Sequence, residues 1–233
     1  MNYNGSFNPK YLSGTQLYFA KNTASVSSWN DQSPNGYNLS QAVALQQPTI
    51  GVDSVDFDGT NDFMSRSVIN PFITHTQGIV FFSINATSGV TQRVLVINNA
   101  ATISGQNTFL INYISDKIRI QIRNVDSTIS NVFETVNTFG SGFLYGYIQS
   151  DGSTYTISVN GVVQTLSFVV GSNTGAWMNV ITSNVIRISL LQSGATFLYG
   201  ATKLNKLYYN NTSLSASDLW KTEQFFANPL NYD

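Results

Sequence analysis

The stretch SVDFDGTNDFMS, residues 54–65, contains the densest group of acidic side chains in the chain. Within seven positions it holds three carboxylates and one amide: Asp56, Asp58, Asn61 and Asp62. Carboxylates this close in sequence suit a calcium site, a catalytic cluster or a polar turn between two strands. These three possibilities correspond to three different kinds of protein, so the neighbouring sequence has to separate them.

The turn interpretation rests on the residues between and beside the aspartates. Gly59 supplies the bend, Phe57 and Phe63 are predicted to face a core, and Asp side chains commonly bond backbone N–H groups in such turns. On this interpretation the stretch joins two strands and carries no chemistry.

Bulk composition predicts one large β domain. The chain has 233 residues, 42% hydrophobic and 13% aromatic, enough to fill the core of a sandwich. Only 10% of the residues are charged, against about 25% in average soluble domains. The remaining polarity comes from Asn, Ser, Thr and Gln, which suits a surface that meets neutral hydrogen-bonding material or neighbouring subunits.

Several partner classes are disfavoured by the same numbers. The net charge of −1 does not indicate the basic surface that binds nucleic acid. In the one dense basic stretch, KIRIQIR at 117–123, basic and polar residues alternate with isoleucine, which indicates the solvent face of a strand. No apolar run approaches the length of a membrane span. Cysteine is absent, which excludes disulfides and thiolate ligands. The N-terminus, beginning at Met1, has no signal-peptide pattern, so we expect synthesis in a cytoplasm.

Alternation with period two predicts about a dozen strands along the chain. Ser115-Asp116 is a predicted hairpin turn, and Asn160-Gly161 is the strongest hairpin signal because both turn positions need φ > 0. One helix is predicted over 215–227, with Ser215 and Asp218 in a capping-box arrangement. The sequence therefore predicts an all-β, two-sheet antiparallel sandwich over 1–233 as a single domain, with an N-terminal arm at 1–14 and a short C-terminal capping helix.

Four landmarks, the last made of a closing strand and a short helix, resemble in order those of concanavalin A-like, laminin-G-like jelly-roll domains. They are SWNDQSPNGYN at 28–38, VDFDGTND at 55–62, TISVNG at 156–161, KLNKLYY at 203–209 and LSASD at 214–218. The resemblance spans about residues 15–228 and implies a jelly roll. That fold serves lectins, glycosidases, adhesion modules and virion proteins, so it does not determine the function.

Catalysis is disfavoured by residue content. Related glycosidases use a pair of strand-borne glutamates, whereas this chain contains only Glu134 and Glu223, the second in the predicted helix. His75 is the single histidine, which excludes a multi-histidine metal site and leaves no nucleophile–His pattern. We therefore expect no enzyme activity.

Glycan binding needs flat aromatic faces flanked by hydrogen-bonding groups. Trp29 is expected in the core and Trp220 on the helix. Trp177 is the preferred ligand candidate because GSNTGAWMN, residues 171–179, indicates a loop that exposes an aromatic residue, although such a tryptophan can also fold back onto a sheet. The candidate carbohydrate-binding residues are Trp177, Asn173, Asn179 and Tyr37.

Calcium is a second, weaker hypothesis; no cofactor is required by the sequence. Asp58, Asn61 and Asp62 supply three oxygens, with Asp31 or Asp53 as a fourth ligand from a neighbouring loop, against the six to eight oxygens that calcium takes.

The function predicted first is a non-catalytic virion surface protein of a bacteriophage, as capsid decoration or fibre, contacting glycans. Its partners would be sister subunits in a homo-oligomer, capsid or fibre proteins, and neutral glycans, with no nucleic acid and no membrane. It would be made in the host cytoplasm and located in the virion. Two alternatives stay open: an extracellular carbohydrate-binding module of a secreted glycosidase or adhesin, and a purely structural assembly subunit.

Overall fold

A computed structural model describes residues 7–14, 16–67, 74–98, 106–182, 185–193, 195–212 and 214–229. Short antiparallel strand is the commonest element in this part of the chain, as the period-two alternation predicts. The strands are β1 (Gln16–Ala20), β2 (Ser28–Trp29), β3 (Leu39–Ser40), β4 (Thr49–Ile50), β5 (Val55–Asp56), β6 (Met64–Ser67), β7 (Gly78–Ala86), β8 (Gln92–Asn98), β9 (Thr108–Ile114), β10 (Lys117–Arg123), β11 (Ser130–Thr135), β12 (Gly142–Ser150), β13 (Tyr155–Val159), β14 (Val162–Val163), β15 (Leu166–Val170), β16 (Val185–Ile188), β17 (Leu190–Ser193), β18 (Thr196–Tyr199) and β19 (Lys203–Asn210).

The helical elements are few. Within the described ranges, one α-helix, α1, spans Ala216–Ala227, and four single 3₁₀ turns occupy Pro9–Tyr11, Lys21–Thr23, Ala44–Gln46 and Met178–Val180. No helix in the described ranges is both long and apolar enough to cross a membrane.

The strands form two large sheets and one separate hairpin. The eight-stranded sheet has the order β14-β13-β12-β7-β19-β5-β4, with β1 also paired to β19. The nine-stranded sheet has the order β15-β11-β10-β9-β8-β16-β6-β3-β2, and β17 pairs with β18 alone. All pairings are antiparallel, and the predicted all-β jelly-roll sandwich with one C-terminal helix is confirmed.

Both predicted tight turns are present and have the expected backbone. Ser115 and Asp116 have φ of 52° and 61° between β9 and β10, and Asn160 and Gly161 have φ of 52° and 78° between β13 and β14. Two consecutive positive φ values match the right-handed twist of the flanking strands. These turns fix the register of both hairpins.

The main core lies between the two sheets and is rich in aromatic and β-branched side chains. Its large fully buried members include Trp29, Phe19, Phe82, Phe109, Phe133 and Trp177. Trp29 was predicted in the core, and its ring lies 5.8 Å from that of Phe19.

A second, smaller core lies on the outer face of the eight-stranded sheet, under α1. Phe225 and Phe226 of the helix pack against Phe81 and Tyr208 of the sheet. The helix begins as predicted: the Ser215 hydroxyl accepts a hydrogen bond from the backbone N–H of Asp218 at 3.1 Å. The outer face of the nine-stranded sheet, in contrast, carries no helix among the described residues.

The opening stretch forms the predicted turn, with one correction. Phe57 is in the core, but Phe63 is only half-buried, and its ring lies 6.4 Å from that of Tyr199 outside the core. Met64 is buried in the core in its place. The prediction that Phe63 faces the core is therefore wrong, because Met64, the first residue of β6, takes the inward position.

Candidate functional site

Strand β10 places a row of polar side chains on the open face of the nine-stranded sheet. Ile118, Ile120 and Ile122 are fully buried in the core. The alternate residues, Lys117, Arg119, Gln121 and Arg123, are therefore directed outward, and all four are half-buried. The solvent-face prediction for this stretch is confirmed.

Cross-strand pairing brings further polar groups beside this row. Arg119 pairs with Glu134 on β11 and with Asn112 on β9, and Asn112 in turn pairs with Arg93 on β8. We call Asn112, Arg119, Gln121, Arg123 and Glu134 the arginine face.

The one carboxylate of the arginine face is held by two cations. Glu134 Oε2 accepts hydrogen bonds from Arg119 Nε at 2.8 Å and Nη2 at 2.5 Å, and Lys117 Nζ lies 2.8 Å from Oε1. Burial raises the pKa of Glu134, but the hydrogen bonds and charges of Lys117 and Arg119 outweigh it and hold the pKa below its ordinary value. Glu134 is therefore ionised at neutral pH, and it fixes the orientation of the Arg119 guanidinium.

Two polar atoms of the arginine face are buried without a partner. Asn112 Oδ1 and Arg123 Nε have no hydrogen bond within the part of the chain that the structure describes. Buried polar atoms are nearly always hydrogen-bonded in folded proteins. Such unpartnered atoms also occur elsewhere in the described part of the chain, and on the arginine face they lie beneath the half-buried side chains of Arg119 and Arg123, where a bound polar ligand or a water molecule would supply the missing partner.

The β17–β18 hairpin covers the other half of this sheet face. Its Leu191 packs with Val96 and Leu110 in a small apolar cluster. Arg187 donates from Nη1 to Asn98 Oδ1 at 2.5 Å and from Nη2 to Gln192 Oε1 at 3.2 Å.

Arg93 lies at the base of the same hairpin and donates from Nη1 to the backbone carbonyl of Tyr199. Burial lowers the pKa of both Arg93 and Arg187. The hairpin thus forms a wall beside the arginine face, and four of the five arginines of the chain lie on this one side of the sandwich.

A cleft of about 380 Å³ lies at the Arg123 end of the arginine face. Five of its eight lining residues carry a hydroxyl or amide group, among them Ser130, the cross-strand partner of Arg123, with Asn131, Ser172 and Thr174. Asn131 Nδ2 donates to Thr174 Oγ1 at 2.9 Å, which holds the two sides of the cleft together. A neutral polar cleft beside cationic side chains suits a ligand with hydroxyl groups.

Trp177 does not present the exposed face that the loop composition predicts. It is fully buried, and its ring makes an edge contact with that of Phe109 at 5.0 Å. Gly78 leaves the necessary space, because a Cβ at that position would lie 2.7 Å from Trp177 Nε1. The expectation of an accessible indole is wrong, and Trp177 is a core residue.

The other predicted glycan-binding residues are spread over the fold. Asn173 is exposed and accepts a hydrogen bond from the backbone N–H of Tyr155 through Oδ1 at 2.6 Å, and Asn179 is exposed in a 3₁₀ turn. Tyr37 precedes β3, near the edge of the nine-stranded sheet opposite to β15, and its ring lies 4.8 Å from the Arg66 guanidinium. These three residues do not share a face with Trp177, and their part in ligand binding stays a prediction.

The acidic stretch is tied to its own backbone. Asp58 Oδ1 accepts from the N–H groups of Thr60, Asn61 and Asp62 at 2.8, 3.1 and 3.3 Å, and Asp62 Oδ2 accepts from the Asp58 N–H at 3.1 Å. Gly59 has φ +80°, which favours glycine.

Ionisation of these two carboxyl groups differs. The effect of burial on Asp58 is outweighed by its backbone hydrogen bonds, so the pKa of Asp58 is lowered, whereas burial and the Asp58 charge raise the pKa of Asp62.

Asp58 and Asp62 line a cleft of about 400 Å³ together with Asp56 and Lys203. Among the residues that the structure describes, no group of three or more acidic or histidine side chains is arranged to hold a metal ion. The calcium hypothesis stays a prediction.

Asp31 and Asp53, the suggested additional calcium ligands, have structural partners. Asp31 accepts from the backbone N–H groups of Tyr18 and Ser33 through Oδ1, and from that of Tyr37 through Oδ2, all at 2.9 Å. Asp53 accepts from Asn85 Nδ2 at 3.0 Å. Both carboxylates therefore connect segments of the sandwich.

Comparison with known proteins identifies neighbours in structure and none in sequence. No family model matches the sequence, and no curated protein matches it. A carbohydrate-binding module (CBM40) of the Ruminococcus gnavus IT-sialidase, solved bound to alpha2,3 sialyllactose, aligns with a TM-score of 0.59 at 15% identity over 73% of this chain and 95% of the module.

Two larger enzymes contain a similar fold. A leech intramolecular trans-sialidase aligns with a TM-score of 0.57 at 17% identity, over 73% of this chain and 27% of the enzyme chain. A Trypanosoma rangeli sialidase, solved with sialic acid, aligns with a TM-score of 0.61 at 11% identity, over 93% of this chain and 33% of the enzyme chain. These structural alignments show a shared jelly-roll fold. Because the sequence identities are low, the function has to be argued from the site.

Sequence patterns do not identify the arginine face as a site. KIRIQIR predicts only a solvent-facing strand, and no pattern marks Arg93 or Arg187 as binding residues. The available signal was that seven residues hold three of the eleven Lys and Arg residues in a chain of very low charge. The unpartnered atoms of Asn112 and Arg123 could not be read from the sequence, because they depend on the pairing of distant strands.

Proposed function

We propose that this chain is a non-catalytic carbohydrate-binding module that binds an acidic glycan through the arginine face. The observation that carries the proposal is a set of half-buried arginines on an open sheet face, beside a buried donor and a buried acceptor without partners. Arginine presents a planar fork of donors that matches a carboxylate, and weak hydration makes it suited to partly buried contacts.

Sialylated glycans are the ligand class that we favour. They combine a carboxylate, for Arg119 or Arg123, with many hydroxyl groups, for the polar cleft beside Ser130 and Asn131. The structurally similar R. gnavus module, which was solved bound to sialyllactose, supports this choice. An extracellular location accompanies this proposal.

Absence of catalysis is part of the proposal. Glu134 and Glu223, the two glutamates of the chain, lie on opposite outer faces of the sandwich. Glu134 is held by Lys117 and Arg119, and Glu223 accepts a hydrogen bond from Ser158 Oγ at 2.6 Å. A retaining glycosidase pair needs carboxyl groups about 5–5.5 Å apart, so these two glutamates cannot form one.

The virion hypothesis has weaker support than the module. None of the three structural neighbours described above is a virion protein. The predicted homo-oligomer also stays a prediction; exposed valines on the edge strands, at Val162, Val163, Val169 and Val170, are the surface most suited to it.

The test is a titration of the purified chain with 3′-sialyllactose and, separately, with lactose, together with an assay for released sialic acid. We expect saturable binding of 3′-sialyllactose, much weaker binding of lactose and no release. Equal binding of the two sugars would remove the acidic-glycan claim, and release of sialic acid would remove the non-catalytic claim.

A further inference from the structure

We propose that three aromatic rings beside the arginine face form a second subsite, for a neutral sugar ring of the same glycan. We call Phe63, Phe197 and Tyr199 the aromatic platform. This inference rests on the proposed function, since it extends the site from the acidic sugar to the sugar linked to it.

The three rings lie in a row. The rings of Phe197 and Tyr199 are nearly parallel, at 16°, with centroids 6.4 Å apart, and the ring of Phe63 lies a further 6.4 Å from that of Tyr199 at 44°. Phe197 is 49% exposed, and Phe63 and Tyr199 are half-buried. Phe197 and Tyr199 are therefore stacked with an offset, and about half of the Phe197 side chain stays accessible to a ligand.

The β17–β18 hairpin positions the platform. Leu191 pairs with Leu198, and Leu191 is anchored on Val96 and Leu110 of the sheet below. Because side chains alternate along a strand, Phe197 and Tyr199 share one face of the hairpin with their cross-strand partners Gln192 and Leu190. Leu191, on the other face, anchors the hairpin to the sheet, and Gln192, on the face that carries the rings, accepts a hydrogen bond from Arg187 of β16.

The platform is continuous with the arginine face. The backbone carbonyl of Tyr199 accepts a hydrogen bond from Arg93, and Arg93 pairs across the strands with Asn112, which pairs with Arg119. Arg93 and Arg119 are therefore two interstrand spacings apart, about 10 Å. A glycan of two or three linked rings can reach both surfaces.

The chemistry of the platform suits a neutral sugar. One face of a pyranose ring carries C–H groups, and the electron-rich face of an aromatic ring attracts them. Phe197 has no polar atom, so its contribution is flat apolar contact alone. Contiguous exposed apolar surface on a domain marks a binding site more often than single exposed side chains do.

The experiment compares the dissociation constants of 3′-sialyllactose and of the monosaccharide N-acetylneuraminic acid for the wild type and for Phe197→Ala. We expect Phe197→Ala to weaken binding of the trisaccharide by about three- to tenfold and to leave the monosaccharide unchanged. Phe197→Trp should retain trisaccharide binding. Leu45→Ala, which removes another strongly exposed apolar side chain, is the matched control and should change neither ligand.

The outcomes separate the two proposals. Unchanged trisaccharide binding in Phe197→Ala, or equal weakening of both ligands, would overturn the platform and leave the module in place. Failure of the wild type to bind either sialylated ligand would overturn both proposals. Because Phe197 is half exposed, thermal melting of Phe197→Ala should match the wild type and exclude unfolding as the cause.

Discussion

Arg119 and Glu134 face each other across β10 and β11, with two guanidinium nitrogens on one carboxylate oxygen at 2.8 and 2.5 Å. The same carboxylate holds Lys117 through its other oxygen. This arrangement fixes an arginine on an open sheet surface, where a lone arginine side chain would be free to move. The Nη1 N–H groups of Arg119, which do not bind Glu134, are thereby held in one orientation, as an anionic ligand requires.

The ion pairs of Glu134 should appear in the acid stability of the protein. In the folded protein the pKa of Glu134 is below its ordinary value of 4.5. The stabilisation that these ion pairs provide is therefore present above about pH 4.5 and is lost as the pH falls through the folded pKa of Glu134. Glu134→Gln should remove part of this acid sensitivity and cost about 1 kcal/mol at neutral pH. Urea unfolding between pH 3 and pH 7 measures both, and an unchanged pH profile would contradict the assignment.

Lys206 should give a slope of the same sign, in the neutral to alkaline range. It is fully buried and donates to the carbonyls of Phe225 and Asn228 at the end of α1, and burial lowers its pKa from 10.5 to about 7. Between these values the unfolded chain binds more protons, so the free energy of unfolding should rise from pH 7 towards pH 9.5, by up to several kcal/mol. Lys206→Met should flatten this rise; a slope as steep as that of the wild type would contradict the claim.

The turn around Asp58 is predicted to depend on its carboxylate. Asp58→Ala leaves the amides of Thr60, Asn61 and Asp62 without their acceptor, and we expect a loss of about 1–2 kcal/mol of stability. The melting temperature of the wild type should be the same in excess calcium and in chelator. A melting temperature that rises with calcium, and that loses this response in Asp58→Ala, would instead establish the calcium site.

Trp177 should behave as a core residue. Trp177→Ala should lower the free energy of unfolding by about 3–5 kcal/mol, whereas a surface tryptophan would cost little. Chemical denaturation followed by circular dichroism measures the loss. Leu45→Ala, at a strongly exposed position, serves as the control, and a loss in Trp177→Ala as small as in that variant would contradict burial.

The fold follows from local sequence signals, and most of the site does not. Alternation along β10 predicts which residues are buried, and Asn160-Gly161 predicts its hairpin, because both depend on neighbouring residues. Burial of Trp177 depends on Gly78, about a hundred positions earlier, which leaves room for the indole. The Gly, Ser and Asn content of residues 171–179 predicts a loop, but it does not show that there is space for the indole ring in the core.

The arginine face has the same long-range origin. Arg119 acquires its partners from β9 and β11, and its surroundings are shaped by the hairpin that carries Tyr199. Sequence reasoning could locate the basic strand, but strand order is needed to show that its cations lie on the face of the sandwich opposite to α1.

The most direct test of the arginine face is calorimetric titration of 3′-sialyllactose into the double variant Arg119→Gln/Arg123→Gln. Lys221→Gln removes a positive charge from α1, on the opposite face of the sandwich, and is the matched control. We predict a loss of about 10- to 100-fold or more in the double variant, the factor equivalent to about 1.5–3 kcal/mol for a charge-assisted hydrogen bond, and no change in the control. A double variant that is folded and binds 3′-sialyllactose as tightly as the wild type would contradict the account.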